Sequence, residues 1–459
     1  MRRHWRSFGL FLGPAVAAVI AFGPTPDGLE VAGQRALAVV ALCVVWWLFT
    51  PVALPVTALV GLGALPVLGV LEPGDAFQLF GNQAVFFVVG VFLVAAAMLK
   101  TGLSTRMALF TLRATARTED RLCAAVLGLS ALLCAFVVSH AVAALMLPIV
   151  VGIIDALDLG PRRRTAKRLL LSMAWGTVLG SSLTLFGSAR TSLALSTYEA
   201  WGGTESIGLL EFSAATFPPL AIMLVASFIW LRVRFPPEDL PMQPALDRLD
   251  SRVQELGAVG RNEIITIGVI VLMVVVIALW GREYGYGTLA LLSSGLLFAA
   301  RVLSWEQAER YVNWGIVLLY GGAIAIGATL DKTGAMAWVV ERTMPSEMGP
   351  AAALGVIVLV AIGLSEFVSK AAVIALALPA VLAITPLLGL DPRVVTIVMP
   401  VAAGFALSMP TSAPAMAMVY GTGYLKIRHV LVTGVPLSIL GAAVLTAFAL
   451  VGWPLLGIG

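Results

Sequence analysis

Uninterrupted apolar runs, each about 20 residues as a helical membrane crossing requires, recur along the chain from Leu10 to Leu456. They predict membrane segments at 8–23, 34–50, 52–70, 83–100, 122–158, 169–198, 214–232, 263–280, 286–302, 315–331, 351–389, 392–422 and 429–456. Runs such as Ile264 to Leu279 show no alternation of polar and apolar positions. That excludes a closed β-barrel and leaves an all-α polytopic membrane protein. Four segments are irregular. The stretches 122–158 and 351–389 are too long for one crossing at ~1.5 Å per residue and hold small or charged residues near the middle instead of a polar loop. Each reads as a re-entrant hairpin. The stretches 169–198 and 392–422 carry Gly187-Ser188-Ala189-Arg190 and Pro410-Thr411-Ser412-Ala413-Pro414 at their centres, the pattern of discontinuous helices unwound at mid-membrane.

The arrangement repeats. Gly90 to Lys100-Thr101-Gly102 is matched by Gly322 to Lys332-Thr333-Gly334 at the same interval, and each is followed by a hairpin and a broken helix. The pattern predicts two inverted repeats, 1–233 and 263–459, with the binding site at their interface near the midplane. Between them, 234–262 opens with Arg234-Phe235-Pro236-Pro237 and carries Asp239, Asp247, Asp250 and Glu255; it reads as a cytoplasmic surface linker. Opposite orientations of the repeats put most of the 29 Lys and Arg on the cytoplasmic side, among them Arg162-Arg163-Arg164, Lys167 and Arg168. Arg35, Arg282, Lys332, Arg342 and Arg393 fall outside, and Arg190 and Lys370 lie at membrane depth. By the basic-residue bias the N-terminus is cytoplasmic and the C-terminus extracytoplasmic, in the inner (plasma) membrane.

Composition narrows the function. Hydrophobic residues make up 60% and charged residues 12%, so the formal charge of +4 reflects loop arginines and points to no nucleic-acid partner. The basic start, Met1-Arg2-Arg3-His4-Trp5-Arg6, resembles a signal-peptide n-region without a small-residue cleavage pattern behind it, and is expected to begin a retained first helix. Cys43, Cys123 and Cys134 sit in apolar segments without metal-ligand spacing, as structural thiols do. No Walker-type or dinucleotide loop occurs. The pair Ser139-His140 has no orienting acid, so the expectation is a carrier with no cofactor and no metal, and an enzyme acting at His140 has only sequence adjacency behind it.

The candidate chemistry lies at membrane depth. Leu364-Ser365-Glu366-Phe367-Val368-Ser369-Lys370-Ala371 places two charges inside an apolar run that ends at Pro379, where charges line a solute pathway or a protein-buried site. Glu366 and Lys370 are spaced as a charge pair one helical turn apart, with the glutamate free to orient the lysine toward an anion. His140, the one histidine at depth, reads either as a packing residue or as a substrate-binding or proton-titrating one. Arg190 is placed to grip a carboxylate bidentately or to snorkel outward. Ser139, Ser369, Ser188, Thr191, Thr411 and Ser412 offer hydroxyls beside half-helix N-termini that favour an anion, though Ser and Thr are also common where helices pack.

With Pro148 and Pro379 at the hairpin exits and the late Val419-Tyr420-Gly421-Thr422-Gly423-Tyr424-Leu425-Lys426, the chain resembles the divalent anion/sodium symporter family of di- and tricarboxylate carriers. The resemblance spans nearly the whole length. It implies about eleven transmembrane helices plus the two hairpins, an elevator-like shift, and a homodimer in the lipid bilayer carrying a small anionic substrate. That family has Ser-Asn-Thr at each hairpin tip. Counting from Pro379 puts Lys370 on the second Asn and Ala371 on the Thr; at the first tip, counting from Pro148 puts Ser139 on the Asn and His140 on the Thr, whereas matching serines puts His140 on the Asn. The turns differ as well, with Thr184-Leu185-Phe186-Gly187-Ser188-Ala189-Arg190-Thr191 and Ser412-Ala413-Pro414-Ala415-Met416 in place of the family's Asn-containing turns. Loss of oxygen ligands around Lys370, Ala371, Ala413 and Met416 predicts lost sodium sites, with Lys370 as a tethered cation. The expectation is therefore a sodium-independent di- or tricarboxylate carrier working by anion exchange, because an empty positive site is costly to move through a bilayer. Proton-coupled uptake, or a sulfate or sulfonate substrate, are the alternatives.

Overall fold

In the computed structural model, which describes residues 2–203, 207–343 and 349–455, every regular element among the described residues is helical. The chain opens with α1 (Arg2–Phe22), α2 (Val31–Phe49), α3 (Leu54–Val67), the short α4 (Pro73–Phe80), α5 (Gln83–Thr101) and α6 (Leu103–Thr115). Next come α7 (Glu119–Cys134) and α8 (Ser139–Ala156), parted at 135–138, then α9 (Arg164–Gly180) and α10 (Ala189–Ala200), parted at 181–188. A long α11 (Leu209–Arg234) leads to α12 (Gln243–Glu255) in the linker, and to α13 (Arg261–Tyr284), α14 (Tyr286–Ala299), α15 (Trp305–Tyr311), α16 (Trp314–Lys332) and α17 (Ala335–Thr343). The paired pattern returns in α18 (Pro350–Phe367) and α19 (Lys370–Ile384), then in α20 (Pro392–Gly404) and α21 (Pro414–Gly421), before α22 (Ile427–Ala447). The last expected segment runs to residue 456, which lies outside the described residues.

Seven helices among these residues are long and apolar enough to cross a membrane, or eight spans if the bent pair α15 and α16 is counted as one. Their outer faces carry large exposed apolar side chains such as Phe86, Phe217 and Val271, a surface that only lipid or a partner chain can cover. Hydropathy alone missed α4, α6, α12, α15 and α17. The reason is visible in α12, which buries Ala245 and Leu249 and turns its many charges outward, so that no continuous apolar run marks it.

Ion pairs fix the direction of the broken helices. α13 spans ~36 Å at 1.5 Å per residue. Glu263 near its start accepts from Arg106 Nε at 2.7 Å, and Arg282 near its end bonds Glu211 at 3.0 Å, the same carboxylate that Arg393 engages at the start of α20. α9, by contrast, starts beside the linker, where Glu238 accepts from the Thr165 N–H at 2.9 Å. The first broken helix therefore sets out from the end of the molecule where α13 begins, and the second from the end where α13 finishes.

Glycine lets the two halves of the first unit touch. A Cβ on Gly180 would lie 2.3 Å from the Ala131 backbone, and one on Gly176 would lie 2.2 Å from Leu127 O, so α7 and α9 meet backbone to backbone. The breaks themselves follow from their residues. Pro410 lacks an N–H, and Pro414 stands at the first position of α21, while 181–188 holds Ser181, Ser182, Thr184 and Ser188, whose hydroxyls compete with helix bonding. In a membrane the freed backbone groups must find partners. Trp175 Nε1 donates to Leu407 O (3.3 Å), Ser438 Oγ donates to Phe405 O (2.8 Å), and Thr184 Oγ1 donates to Ala135 O.

Candidate functional site

One cavity of about 640 Å³ opens where the four breaks meet. Ser139 and His140 reach it from the start of α8, Ser188, Ala189 and Arg190 from the start of α10, Ser369, Lys370 and Ala371 from the start of α19, and Thr411, Ser412, Ala413 and Pro414 from the start of α21. Four helix N-termini thus converge on one space, and each brings N–H groups without an intrahelical acceptor and the positive end of a helix dipole. Two cations line the cavity and no carboxylate does, among the described residues. Such an environment takes an anion.

Lys370 is 9% exposed, and its Nζ has no hydrogen-bond or ion-pair partner among the described residues. The nearby Arg190 repels it and Glu366 attracts it. An ammonium at this depth without a direct partner is costly until an anion arrives, and at ~4 Å with an effective dielectric of ~20 such a pair is worth ~4 kcal/mol. His140 lines the same space, half-buried, with an imidazole that bonds no described residue.

Three expectations come out differently. Glu366 and Lys370 form no direct ion pair, because the chain leaves the helix at Val368 and Ser369, so the spacing of one helical turn does not apply. The Glu366 carboxylate instead accepts from Ser408 N (2.9 Å) and Met409 N (2.8 Å), and its own carbonyl accepts from Thr411 Oγ1 (2.8 Å). It ties the second hairpin to the second break. Arg190 neither snorkels nor offers a free guanidinium edge. It donates to Pro400 O (2.9 Å), Ser188 Oγ (2.9 Å), Ser181 Oγ (3.1 Å) and Ser182 Oγ (2.6 Å), which leaves one Nη1 N–H of its five donors for the cavity. Thr191 does not line the cavity; it is fully buried, and its Oγ1 has no hydrogen-bond partner. The structure brings together the remaining nine candidates: Ser139, His140, Ser188, Arg190, Ser369, Lys370, Ala371, Thr411 and Ser412.

The hydropathy reading missed the opposite wall. Phe92 of α5 and Ile316 and Tyr320 of α16 face the cavity, as do Ser181 and Tyr420. A phenol inside the apolar run of α16 is the signal that could have found Tyr320. The three cysteines are buried and unpaired with one another, and Cys123 Sγ accepts from Arg168 Nε at 3.2 Å.

Residues 3–458 match the family described as the sodium:sulfate symporter transmembrane region. The chain is similar to the sodium-dependent dicarboxylate transporter SdcS of Staphylococcus saprophyticus, with 26% identity over 98% of this chain and 92% of that one. The SdcS protein of Staphylococcus aureus MW2 is 24% identical over 95% of this chain and 89% of its own length. In fold, the chain is similar to the solved structure of the Alcanivorax borkumensis YdaH transporter, with a TM-score of 0.56 and 14% identity over 86% of this chain and 90% of that one. Both SdcS proteins are named for sodium dependence, which overturns the expectation of a sodium-independent carrier and the exchange mode that rested on it. The physical error was to count side-chain oxygens alone. A hard cation also takes backbone carbonyls, which the unwound stretches 135–138, 181–188 and 405–413 contain whatever side chains they carry, although Ala135 O, Phe405 O and Leu407 O already accept hydrogen bonds.

Proposed function

The chain belongs to the sodium:sulfate symporter family, and on that premise we propose that it is a plasma-membrane carrier that moves small dicarboxylates together with sodium. The observation that carries this reading is the convergence of four helix N-termini and Lys370 on one cavity without carboxylates. The relatives' names favour a dicarboxylate over sulfate and supply the coupling ion. One substrate carboxylate is neutralised by Lys370 and the N–H groups at the start of α19; the other meets Ser139 and His140 on the facing hairpin. Arg190 acts mainly as a brace between the two broken helices, adding positive potential and a single donor. Sodium sits among carbonyl and hydroxyl oxygens at the breaks.

In this reading the two halves, 1–233 and 263–459, are inverted repeats. Their hairpins and broken helices move as one body against α5 and α16, in the manner of an elevator, within a homodimer. The N-terminus and the linker face the cytoplasm and the C-terminus faces outward. Uptake of labelled succinate into proteoliposomes tests the core of the proposal. An inward sodium gradient should drive accumulation that choline does not support. Equal uptake in sodium and choline, or no uptake of any dicarboxylate, would sink it.

A further inference from the structure

We propose that Tyr320 hydrogen-bonds the substrate in this conformation only, making it a state-dependent affinity residue supplied by the wall that the anion site moves against. The inference rests on the carrier reading above. Three residues of the continuous helices α5 and α16 face the cavity, Phe92, Ile316 and Tyr320, and Tyr320 alone among them carries a polar group. Tyr320 is 1% exposed, yet its hydroxyl makes no hydrogen bond with any described residue. The Arg190 guanidinium lies within electrostatic range of the Tyr320 phenol. A phenol that faces the cavity and not a protein acceptor keeps its O–H free to donate, and here it borders the space where the anion belongs. A carboxylate oxygen there supplies the missing acceptor.

The placement of Tyr320 distinguishes it from every other polar group in the site. Ser139, His140, Ser369, Lys370 and Arg190 sit on the hairpins and broken helices and travel with the substrate. α16 instead packs along α3 and α4, outside those units. Once the site shifts along α16, the Tyr320 hydroxyl is left behind and the anion loses one charge-assisted hydrogen bond. Tyr320 therefore tightens binding at one face of the membrane and leaves it unchanged at the other. It sets the asymmetry of affinity between uptake and release.

Tyr320→Phe removes the hydroxyl and keeps the ring that packs the wall. Succinate KM would be measured in right-side-out and inside-out vesicles for wild type and variant, with sodium saturating. A hydrogen bond to a charged group is worth enough for about a tenfold rise in KM, and the rise is expected at one face, with less than a twofold change at the other. An equal rise at both faces would show that the contact travels with the site and would overturn the inference, as would an unchanged KM at both. Absence of wild-type transport would overturn the carrier reading itself, whereas wild-type transport with an indifferent Tyr320→Phe removes this inference alone.

Discussion

At the residue scale, the proposed carrier divides the work between a cation, Lys370, that meets the anion and a carboxylate, Glu366, that holds the site together. Lys370 faces the cavity without a partner, so Lys370→Gln should weaken dicarboxylate binding by roughly 2–3 kcal/mol, the range of a charged hydrogen bond, while leaving the unfolding temperature unchanged or raised. Calorimetric titration with succinate measures the first and a thermal melt the second; unchanged affinity would remove Lys370 from the site. Glu366 has the reverse profile. Its carboxylate satisfies the Ser408 and Met409 N–H groups at the second break, and neither has another acceptor among the described residues. Glu366→Gln keeps one acceptor oxygen, turns the other position into a donor facing an N–H, and should cost ~1–3 kcal/mol of stability. A melt that matched wild type would show that the break holds without it.

At the scale of elements, close approach between helices decides which glycines matter. Gly180 on α9 has the Ala131 backbone 2.3 Å from where its Cβ would be, whereas Gly128 on α7 has nothing within 4 Å. Gly180→Ala should therefore force the first hairpin off the first broken helix, at ~1–3 kcal/mol as overpacking costs. Gly128→Ala should be neutral or stabilising by up to ~1 kcal/mol through helix propensity. Denaturation of the two variants side by side checks the pair, and equal behaviour would mean that α7 and α9 yield more easily than their backbone contact implies. The latch at the linker end works through charge. Glu119 on α7 accepts from Thr165 Oγ1 (2.6 Å) on α9 and from the Leu240 N–H (2.8 Å), while Glu238 caps the start of α9 through the Thr165 N–H (2.9 Å). Burial pushes the Glu238 carboxyl up, but the Thr165 bonds and the Arg163 and Arg164 charges outweigh it and hold it below the usual carboxylate range. A carboxyl lowered on folding contributes stability that is present above its unfolded value of about 4.3 and is lost as pH falls through the lower folded value. The melting temperature of Glu238→Gln should accordingly fall less steeply than that of wild type on acidification below about pH 4.3; parallel curves would mean that the carboxylate adds nothing to the latch.

At the scale of the whole molecule, the hydropathy runs were enough to place a polytopic helical bundle, because a helix must offer lipid an apolar face about 20 residues long. The sites of interruption were legible too. Polar, Gly and Pro residues inside an apolar run leave backbone groups that lipid cannot satisfy, so they mark where the chain turns inward. Serine, lysine and histidine at the starts of α8 and α19 were therefore candidates before any contact was known. What the sequence left open is everything that depends on a partner far along the chain. Glu366 bonds residues more than 40 positions away, and Arg190 spends a donor on Pro400, so neither role follows from local spacing. Thr191 and Tyr320 changed places for the same reason. Rotation about a helix axis, set by packing against other elements, turned Thr191 away from the cavity and Tyr320 into it. Side-chain type along the chain settled what chemistry the protein has available, and only the tertiary packing decided which of those groups share one cavity and which are spent holding it open.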